Sequence, residues 1–392
     1  MNKKVLAFII IASCLFGPSA FAGQGSVEME PDLGILIKTL YTHRTENERT
    51  GVDGIDLLAL RWVGLTFSGE MGRVDYRLEV VASRGIYRDP ILMTGTTAVS
   101  AMGEFGTVGI REAKIGIKPL EWAKINVGTI IPEWGTFQGR SAAEWEFVDL
   151  PMIYTAPAFR NIGWQNAGVE ASLSPIDEIK ISGFYVNGYM PDGLANSEQI
   201  LPSGAFGEGR GVGGRARIKL GPAIFHGGYY TEEWEEDVRG GPDFEGQEGS
   251  AWIAGIELEV SDFWFSAEWT DLVIEDYQLK ISDGTFVNLR AYGGHVDLAW
   301  QALDAWRVLV RWEWIDPNDA NSRSTQQRSR FDQVTQWTVG VNYRLSENTL
   351  LMANYVTPIE EGSHVNIPKG DLGGKYQERE NNYFRVQLQV VR

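Results

Sequence analysis

The chain of 392 residues has one cysteine and only four histidines. Cys14 alone cannot form an intrachain disulfide, and His43, His226, His295 and His364 fall into no metal-binding or catalytic motif. No apolar run reaches the roughly 20 residues that a membrane-spanning helix needs. These absences argue against a disulfide framework, a helical membrane anchor and a metalloenzyme. We therefore predict no catalytic residue, no metal and no cofactor.

Acidic side chains outnumber basic ones. There are 52 Asp and Glu against 35 Lys and Arg, which gives a formal net charge of −17. Such a balance argues against a nucleic-acid partner. The 45 glycines, 14 tryptophans and 14 tyrosines are accompanied by a mean hydropathy of only −0.19. A transmembrane β-barrel has this composition, because every second strand residue faces water.

The N-terminus has the anatomy of an export signal. Two early lysines precede an apolar run over residues 5–16 and the small-x-small sequence Ala20-Phe21-Ala22. We predict a signal peptide over residues 1–22 and one mature barrel domain over residues 23–392, located in the bacterial outer membrane. Lipoprotein processing at Cys14 is the alternative.

The remainder of the chain repeats short stretches of alternating apolar and polar residues, joined in turn by a short turn and a long polar connection. Period-two alternation indicates strands with one apolar face. We predict an all-β, antiparallel transmembrane barrel of about 16 strands, with short periplasmic turns and long outer loops. The strands are expected near 32–42, 55–68, 74–84, 109–119, 123–131, 161–173, 178–187, 210–220, 223–232, 250–260, 262–272, 286–300, 306–316, 331–345, 348–358 and 382–392.

Two local irregularities are also expected. The strand at 286–300 changes phase around Gly293 and Gly294, which predicts a β-bulge and would turn Arg290 towards the lumen. The connection 85–108 is long enough to contain a short helix.

The apolar face is expected to point outward. A barrel of about sixteen strands encloses more volume than side chains can fill, so its interior must hold water. In the segment 306–316, Trp306, Trp312 and Trp314 share one face with two valines, while Arg307 and Arg311 lie on the other. Aromatic residues at both ends of such a strand fit the two interfacial girdles. A soluble barrel with an aromatic core is the alternative.

The connection 132–160 is the longest and follows the fifth strand, so it is the third outer loop. Long connections without secondary structure usually have a function. Folded into the lumen, this one would narrow the pore and set a charged eyelet. A surface lid or a subunit contact is the alternative. The charged candidates for this constriction loop are Glu133, Arg140, Glu144, Glu146 and Asp149.

The residues expected to line the pore are mostly basic. A basic wall can guide anions, which predicts a modest anion preference, whereas the acidic outer loops would attract cations. Alternatively, these charges are simply paired and hydrated. The predicted wall residues are Arg77, Glu112, Lys114, Lys118, Arg215, Arg217, Lys219, Arg307, Arg311, Arg344 and Arg385.

The segment Arg160-Asn161-Ile162-Gly163-Trp164-Gln165, the strand rhythm and the closing Val386-Gln387-Leu388-Gln389-Val390 resemble the phosphate-selective porin O and P family. The resemblance implies a sixteen-stranded, usually trimeric porin with an inward third loop and basic residues along the pore. Asn161 stands where that family usually has Asp. Arg392 ends the chain where outer-membrane proteins generally carry an aromatic residue.

Two functions fit these observations. The favoured one is passive diffusion of inorganic ions and small hydrophilic solutes, with outer-membrane lipid and lipopolysaccharide around a homotrimer. The alternative is a sleeve or scaffold for a periplasmic partner such as an electron-transfer protein; any haem would belong to that partner, because the chain has no haem motif.

Overall fold

A computed structural model of the chain describes residues 32–44, 55–83, 107–131, 133–137, 140–155, 166–187, 210–234, 247–277, 287–316, 333–361 and 382–392. These residues form a closed antiparallel barrel of sixteen strands in which each strand pairs with its neighbours in sequence. The predicted architecture is therefore confirmed. The predicted signal peptide and the possible helix in 85–108 lie outside the described residues, apart from the last two positions of that connection.

The strands agree with the predicted segments to within a few residues at each end. They are β1 (Asp32–Arg44), β2 (Ile55–Met71), β3 (Val74–Ser83), β4 (Thr107–Leu120), β5 (Ala123–Ile130), β6 (Asn166–Ile176), β7 (Ile179–Asn187), β8 (Arg210–Leu220), β9 (Ala223–Trp234), β10 (Gln247–Val260), β11 (Phe263–Tyr277), β12 (Val287–Leu303), β13 (Trp306–Asp316), β14 (Gln333–Ser346), β15 (Thr349–Glu361) and β16 (Tyr383–Val391).

Two-residue turns connect the strands at one rim of the barrel, beginning with Gly72-Arg73. Gly72 and Gly221 adopt left-handed backbone conformations with φ of 62° and 58°. Glycine suits these positions because it has no Cβ to clash there. The barrel closes at the same rim, where the backbone of Ile35 and Arg392 exchange two hydrogen bonds of 2.7 and 2.9 Å.

The outer face is apolar and ringed by aromatic side chains, as predicted. On β13 the Trp306, Val308 and Val310 side chains point away from the lumen, and the arginines point into it. Trp306 contacts Tyr343 near the short turns, with ring centroids 4.4 Å apart. At the other end of these strands further aromatic rings cluster (Trp269, Tyr292 and Trp314). These two bands match the lipid–water boundaries of a membrane.

The predicted bulge at Gly293 and Gly294 is wrong, because both residues pair in continuous register with β11 and β13. The alternation along β12 therefore keeps one phase from Arg290 to Trp300, and Arg290 points outward instead of into the lumen. Its guanidinium pairs with the carboxylate of Asp271, also on the outer face, at 2.6 and 3.1 Å. The ring of Tyr292 lies 5.2 Å from that guanidinium. This ion pair lies beside the aromatic band and neutralises the charge of Arg290, which would otherwise be costly at a lipid-facing surface.

The segment between β5 and β6 contains a 3-10 helix (Ala142–Glu144) and one turn of α-helix, α1 (Met152–Thr155). We call its described residues, 133–137 and 140–155, the inner loop. Within the described ranges, no helix is long and apolar enough to cross a membrane.

The largest buried apolar cluster lies inside the barrel. Inner-loop residues including Phe147 and Ile153 pack with inward-facing wall residues such as Leu309 and Ile315, and α1 lies against β12 and β13. The barrel interior is therefore not uniformly polar, since part of the wall is an apolar seat for the loop. Burying one such side chain contributes about 1.5–3 kcal/mol.

Candidate functional site

The inner loop leaves the barrel wall at β5 and makes contacts with strands on the far side. Its backbone and side chains meet the inner faces of β1, β2, β4, β7 to β14 and β16. Contacts with strands so widely spaced around the ring require the loop to run across the lumen. Among the described residues, the inner loop is thus the segment that occupies the lumen.

One anchor of the loop is centred on Glu268 of β11, whose side chain is fully buried. Its carboxylate accepts the backbone N–H of Thr136 at 2.7 Å and lies 2.7 and 2.8 Å from the Tyr154 hydroxyl. The Nε2 of His226 is 3.0 Å from the same carboxylate, and that of His295 is 3.6 Å away. Burial, together with the charge of Glu268, raises the pKa of Tyr154 well above its usual range, so the phenol remains a donor. Two turns of the loop, 18 residues apart, are thereby bound to one strand residue.

A second anchor is Asp149, whose carboxylate is held by Arg61 of β2 at 2.8 Å and by Arg385 of β16. Arg61 also donates to the backbone oxygen of Val148 at 2.6 Å. Burial alone would raise the pKa of Asp149, but the two guanidiniums outweigh it and lower the pKa from 3.8 to about 2. Charge-assisted hydrogen bonds of this kind are about twice as strong as neutral ones.

β13 holds the adjacent part of the loop. Arg311 makes a bidentate pair with Asp297 at 2.7 and 2.8 Å, and its remaining terminal nitrogen donates to the backbone oxygen of Asp149 at 2.9 Å. Glu313 accepts the backbone N–H of Met152 at 2.6 Å. The guanidinium of Arg311 lies 4.0 Å from the ring centroid of Phe147. The predicted wall residues Arg311 and Arg385 are consequently covered by the loop, with side chains only 2% and 7% exposed.

Lys38 and the amides of Asn342 and Gln389 bind backbone oxygens of the loop. Lys38 is almost fully buried and donates to Ala142 at 2.5 Å, while its ammonium lies 4.6 Å from the centroid of a Trp145 ring. The two amides donate to loop residues 146 and 143, each at 2.8 Å. Since a loop carries many backbone oxygens without partners, these wall donors are needed for its burial.

At the start of the inner loop, Glu133 binds Lys180 of β7 at 2.8 Å and Arg215 of β8 at 3.3 Å. Burial raises the pKa of Glu133, but these two cations outweigh it and hold the pKa below its ordinary value. Further along, Glu146 pairs with Arg307 at 3.2 Å, and burial raises its pKa. Glu144 is exposed.

The inner faces of β3 to β8, which we call the open sector, carry most of the other predicted wall residues. Arg77 and Lys114 both bind Glu112, at 2.9 and 2.5 Å. Lys118 pairs with Glu70 close to the short-turn rim. Within the described residues, Arg217 and Lys219 have no ion pair. Arg344, on β14, is exposed near the same rim.

Two arginines that the sequence did not place in the lumen, Arg61 and Arg111, are there because of β-bulges. Lys38 pairs with Trp62 of β2 and the next residue, Thr39, pairs with Leu60. Arg61 is therefore an additional residue between these two pairs. Likewise, Glu79 pairs with Glu112 of β4 and Val80 pairs with Ile110, so Arg111 is the additional residue. In both cases two adjacent side chains turn inward, as a bulge requires. The sequence signal is two consecutive non-aliphatic residues, Arg61-Trp62 and Arg111-Glu112, that interrupt the alternation.

Comparisons with known proteins agree with this architecture. A family model described as Gram-negative porin matches residues 9–357. No curated protein sequence matches the chain.

Solved structures with the same fold cover nearly the whole chain at low sequence identity. The barrel is similar to the outer membrane channel DcaP of Acinetobacter baumannii, with a TM-score of 0.60 and 11% identity over 94% of this chain and 99% of that one. An anion-selective porin from Comamonas acidovorans gives 0.58 and 12% over 93% and 100%. The trimer form of OmpT from Vibrio cholerae gives 0.57 and 11% over 93% and 99%.

Proposed function

The chain belongs to the Gram-negative porin family, and on that premise we propose that solutes cross its barrel through the open sector, with a modest preference for anions. Membership makes the protein an outer-membrane channel for small hydrophilic solutes. What the proposal adds is the path and its charge.

The path is supported by the unequal exposure of the wall. On the loop side, Arg311 and Asp297 are 2% and 0% exposed. In the open sector, the side chains of Arg77, Lys124 and Lys180 are 36%, 32% and 32% exposed. Water therefore reaches several cations of β3 to β7, while the loop covers Arg311 of β13 and Arg385 of β16 and, next to Glu133, Arg215 of β8. The predicted constriction by residues 132–160 becomes part of this proposal.

The observation that carries the charge preference is the pairing of Lys180 with Arg217. The two lie directly opposite each other on β7 and β8. Opposed like charges destabilise a sheet. Glu133 compensates Lys180, but Arg217 has no acidic partner within the described residues. An uncompensated cation facing a narrow passage favours anions.

Reversal potentials in planar bilayers under a salt gradient test this proposal. The wild-type channel should be weakly anion-selective, and Arg217→Gln should move the reversal potential towards the cation value. Arg73→Gln removes the same charge from an exposed turn, where Arg73 donates to the backbone of Pro119, and should leave the potential almost unchanged. Strong cation selectivity of the wild type would refute the preference.

Two narrower assignments follow the same premise. The segment 160–165 and the closing strand support membership in the phosphate-selective porin O and P group. That membership predicts that inorganic phosphate blocks chloride current at lower concentration than sulfate does.

A homotrimer is proposed because the similar OmpT structure is described as a trimer form. Light scattering on detergent-solubilised protein, corrected for bound detergent, would give the mass of the assembly.

The inner loop bears on the sleeve alternative, since a barrel that encloses a partner must have room for it. Here the chain's own Phe147, Ile153 and Tyr154 are buried within the barrel. That occupancy favours a channel for small solutes over a scaffold around another protein. Stable ohmic channels formed by the purified protein alone would support the channel, and silence without a copurifying partner would support the sleeve.

A further inference from the structure

We infer that Arg111, Arg140 and Glu257 form a crossbar that spans the lumen and holds a second cation, Arg140, at the edge of the open sector. The inference rests on the proposed conducting path. It adds Arg111, which reaches the lumen through a bulge, as the residue that positions Arg140.

The crossbar connects opposite walls through one residue of the inner loop. The backbone oxygen of Arg140 accepts a hydrogen bond of 3.2 Å from Nη2 of Arg111 on β4. The guanidinium of Arg140 donates to Glu257 on β10. β4 and β10 are six places apart in the ring of sixteen strands. A residue that touches both must lie across the interior, with β5 to β9 on one side of it.

Arg111 is itself held firmly enough to act as a support. Its Nη1 lies 3.0 and 2.9 Å from the two oxygens of Glu79, which is only 3% exposed. The guanidinium is also 5.8 Å from the centroid of the Trp62 ring. A planar guanidinium with five donors can bind this carboxylate and the loop oxygen together, which a lysine ammonium on its flexible stem does less well.

Arg140 retains access to water. Its side chain is 29% exposed, whereas that of Glu257 is 8% exposed, and the ring of Phe137 supports the guanidinium at 5.9 Å. In the crossbar the guanidinium of Arg140 is thus accessible to water, whereas the carboxylate of Glu257 is covered by it. If Arg140 moves away, the carboxylate of Glu257 is left uncovered and the local charge changes sign.

Arg111→Lys tests the positioning role, because it conserves the charge and removes the forked contact. Losing one hydrogen bond to a charged group should raise the fraction of time spent in a higher-conductance substate about tenfold. Selectivity should move towards cations in that substate. The matched control is Arg290→Lys, since Arg290 also makes a forked contact with a carboxylate, that of Asp271, but lies on the outer face of the barrel. The control should show neither change.

A cross-link tests the span without depending on selectivity. In a Cys14→Ser background, the pair Arg140→Cys and Glu257→Cys should be joined by a short bifunctional thiol reagent and should then show fewer conductance fluctuations than the uncoupled channel. The control pair is Ala143→Cys with Glu257→Cys, because Ala143 lies beside Gln389 of β16. That pair should not be joined.

The outcomes separate the crossbar from the proposed function. If the wild type conducts but Arg111→Lys behaves like Arg290→Lys, or if residues 140 and 257 resist cross-linking in a heat-modifiable folded barrel, the crossbar alone is overturned. A wild-type barrel that conducts nothing would overturn the proposed path together with it.

Discussion

Replacing Asp149 with asparagine should release the inner loop from the wall of β2 and β16. In the wild type the carboxylate binds Arg61 at 2.8 Å and also binds Arg385. The amide is nearly isosteric but cannot neutralise two guanidiniums. We expect the loop to leave its seat more often, and the pore to visit a state of higher conductance and greater current noise.

The magnitude follows from the pKa of Asp149, which the protein lowers from 3.8 to about 2. At about 1.4 kcal/mol per pKa unit, the ionised carboxylate is favoured by about 2 to 3 kcal/mol. That free energy corresponds to a change of roughly sixtyfold in the ratio of detached to seated loop. It is an upper limit, because both arginines gain water when the loop leaves.

Single-channel recording in planar bilayers measures this ratio, and Glu144→Gln is the matched control. Glu144 lies on the same loop and is exposed, so its amide variant removes the same charge without breaking an anchor. A general electrostatic effect would appear in both variants, whereas loss of the anchor would appear only in Asp149→Asn. If the two variants have the same conductance, noise and substate occupancy, the assignment of Asp149 as an anchor is refuted.

The pH dependence of the wild type should reproduce the variant. Since the pKa of Asp149 is lower in the folded protein than in the unfolded chain, its stabilising contribution is fully present above about pH 5. It declines as the pH falls below about 4 and is lost below the folded pKa near 2. The current noise of the wild-type channel should therefore rise between pH 4 and pH 2, whereas that of Asp149→Asn should not. If the noise of the two channels changes equally with pH in that range, Asp149 does not anchor the loop.

Three further predictions concern the same loop. Deleting residues 136–156 should raise single-channel conductance in bilayers, and an unchanged conductance would remove this segment from the constriction. Gly135→Ala should increase the occupancy of the higher-conductance substate, because Gly135 has φ of 74° and an added Cβ would collide with the Tyr154 hydroxyl. Current traces of Gly135→Ala identical to those of the wild type would refute this expectation. Glu268→Gln should lower the thermal unfolding midpoint, measured by heat modifiability on gels. Thr136 and Tyr154 would lose a charged acceptor, and a hydrogen bond to a charged group contributes about 1.5–3 kcal/mol. A midpoint equal to that of the wild type would argue that Glu268 does not anchor the loop.

The faces of the strands could be predicted because the alternation is a local property. On β13, the parity that separates Trp306 and Trp312 from Arg307 and Arg311 follows from the two-residue period of a strand alone. The same rule gave a wrong result for Arg290, where glycines imitated a change of phase. It also missed Arg61 and Arg111, because a bulge adds one residue whose direction parity cannot describe.

The contacts of the candidate site lay beyond sequence reasoning for a different cause. Charged residues of the third loop could be named, but their partners lie far away in the chain: Thr136 binds Glu268 across 132 residues, and Asp149 binds Arg385 across 236. Nothing in the local pattern of either residue specifies such a pairing. Apolar loop residues such as Phe147 likewise gave no sign that the interior wall would supply a matching seat.

The sequence by itself determined a sixteen-stranded cylinder with lipid outside and its rims distinguished by loop length, because strand period and turn chemistry act over neighbouring residues. Only the tertiary structure decided which part of the interior stays open to water. That choice depends on where one loop of the chain comes to rest, and the closure of the ring brings the groups that hold it together from strands distant in sequence.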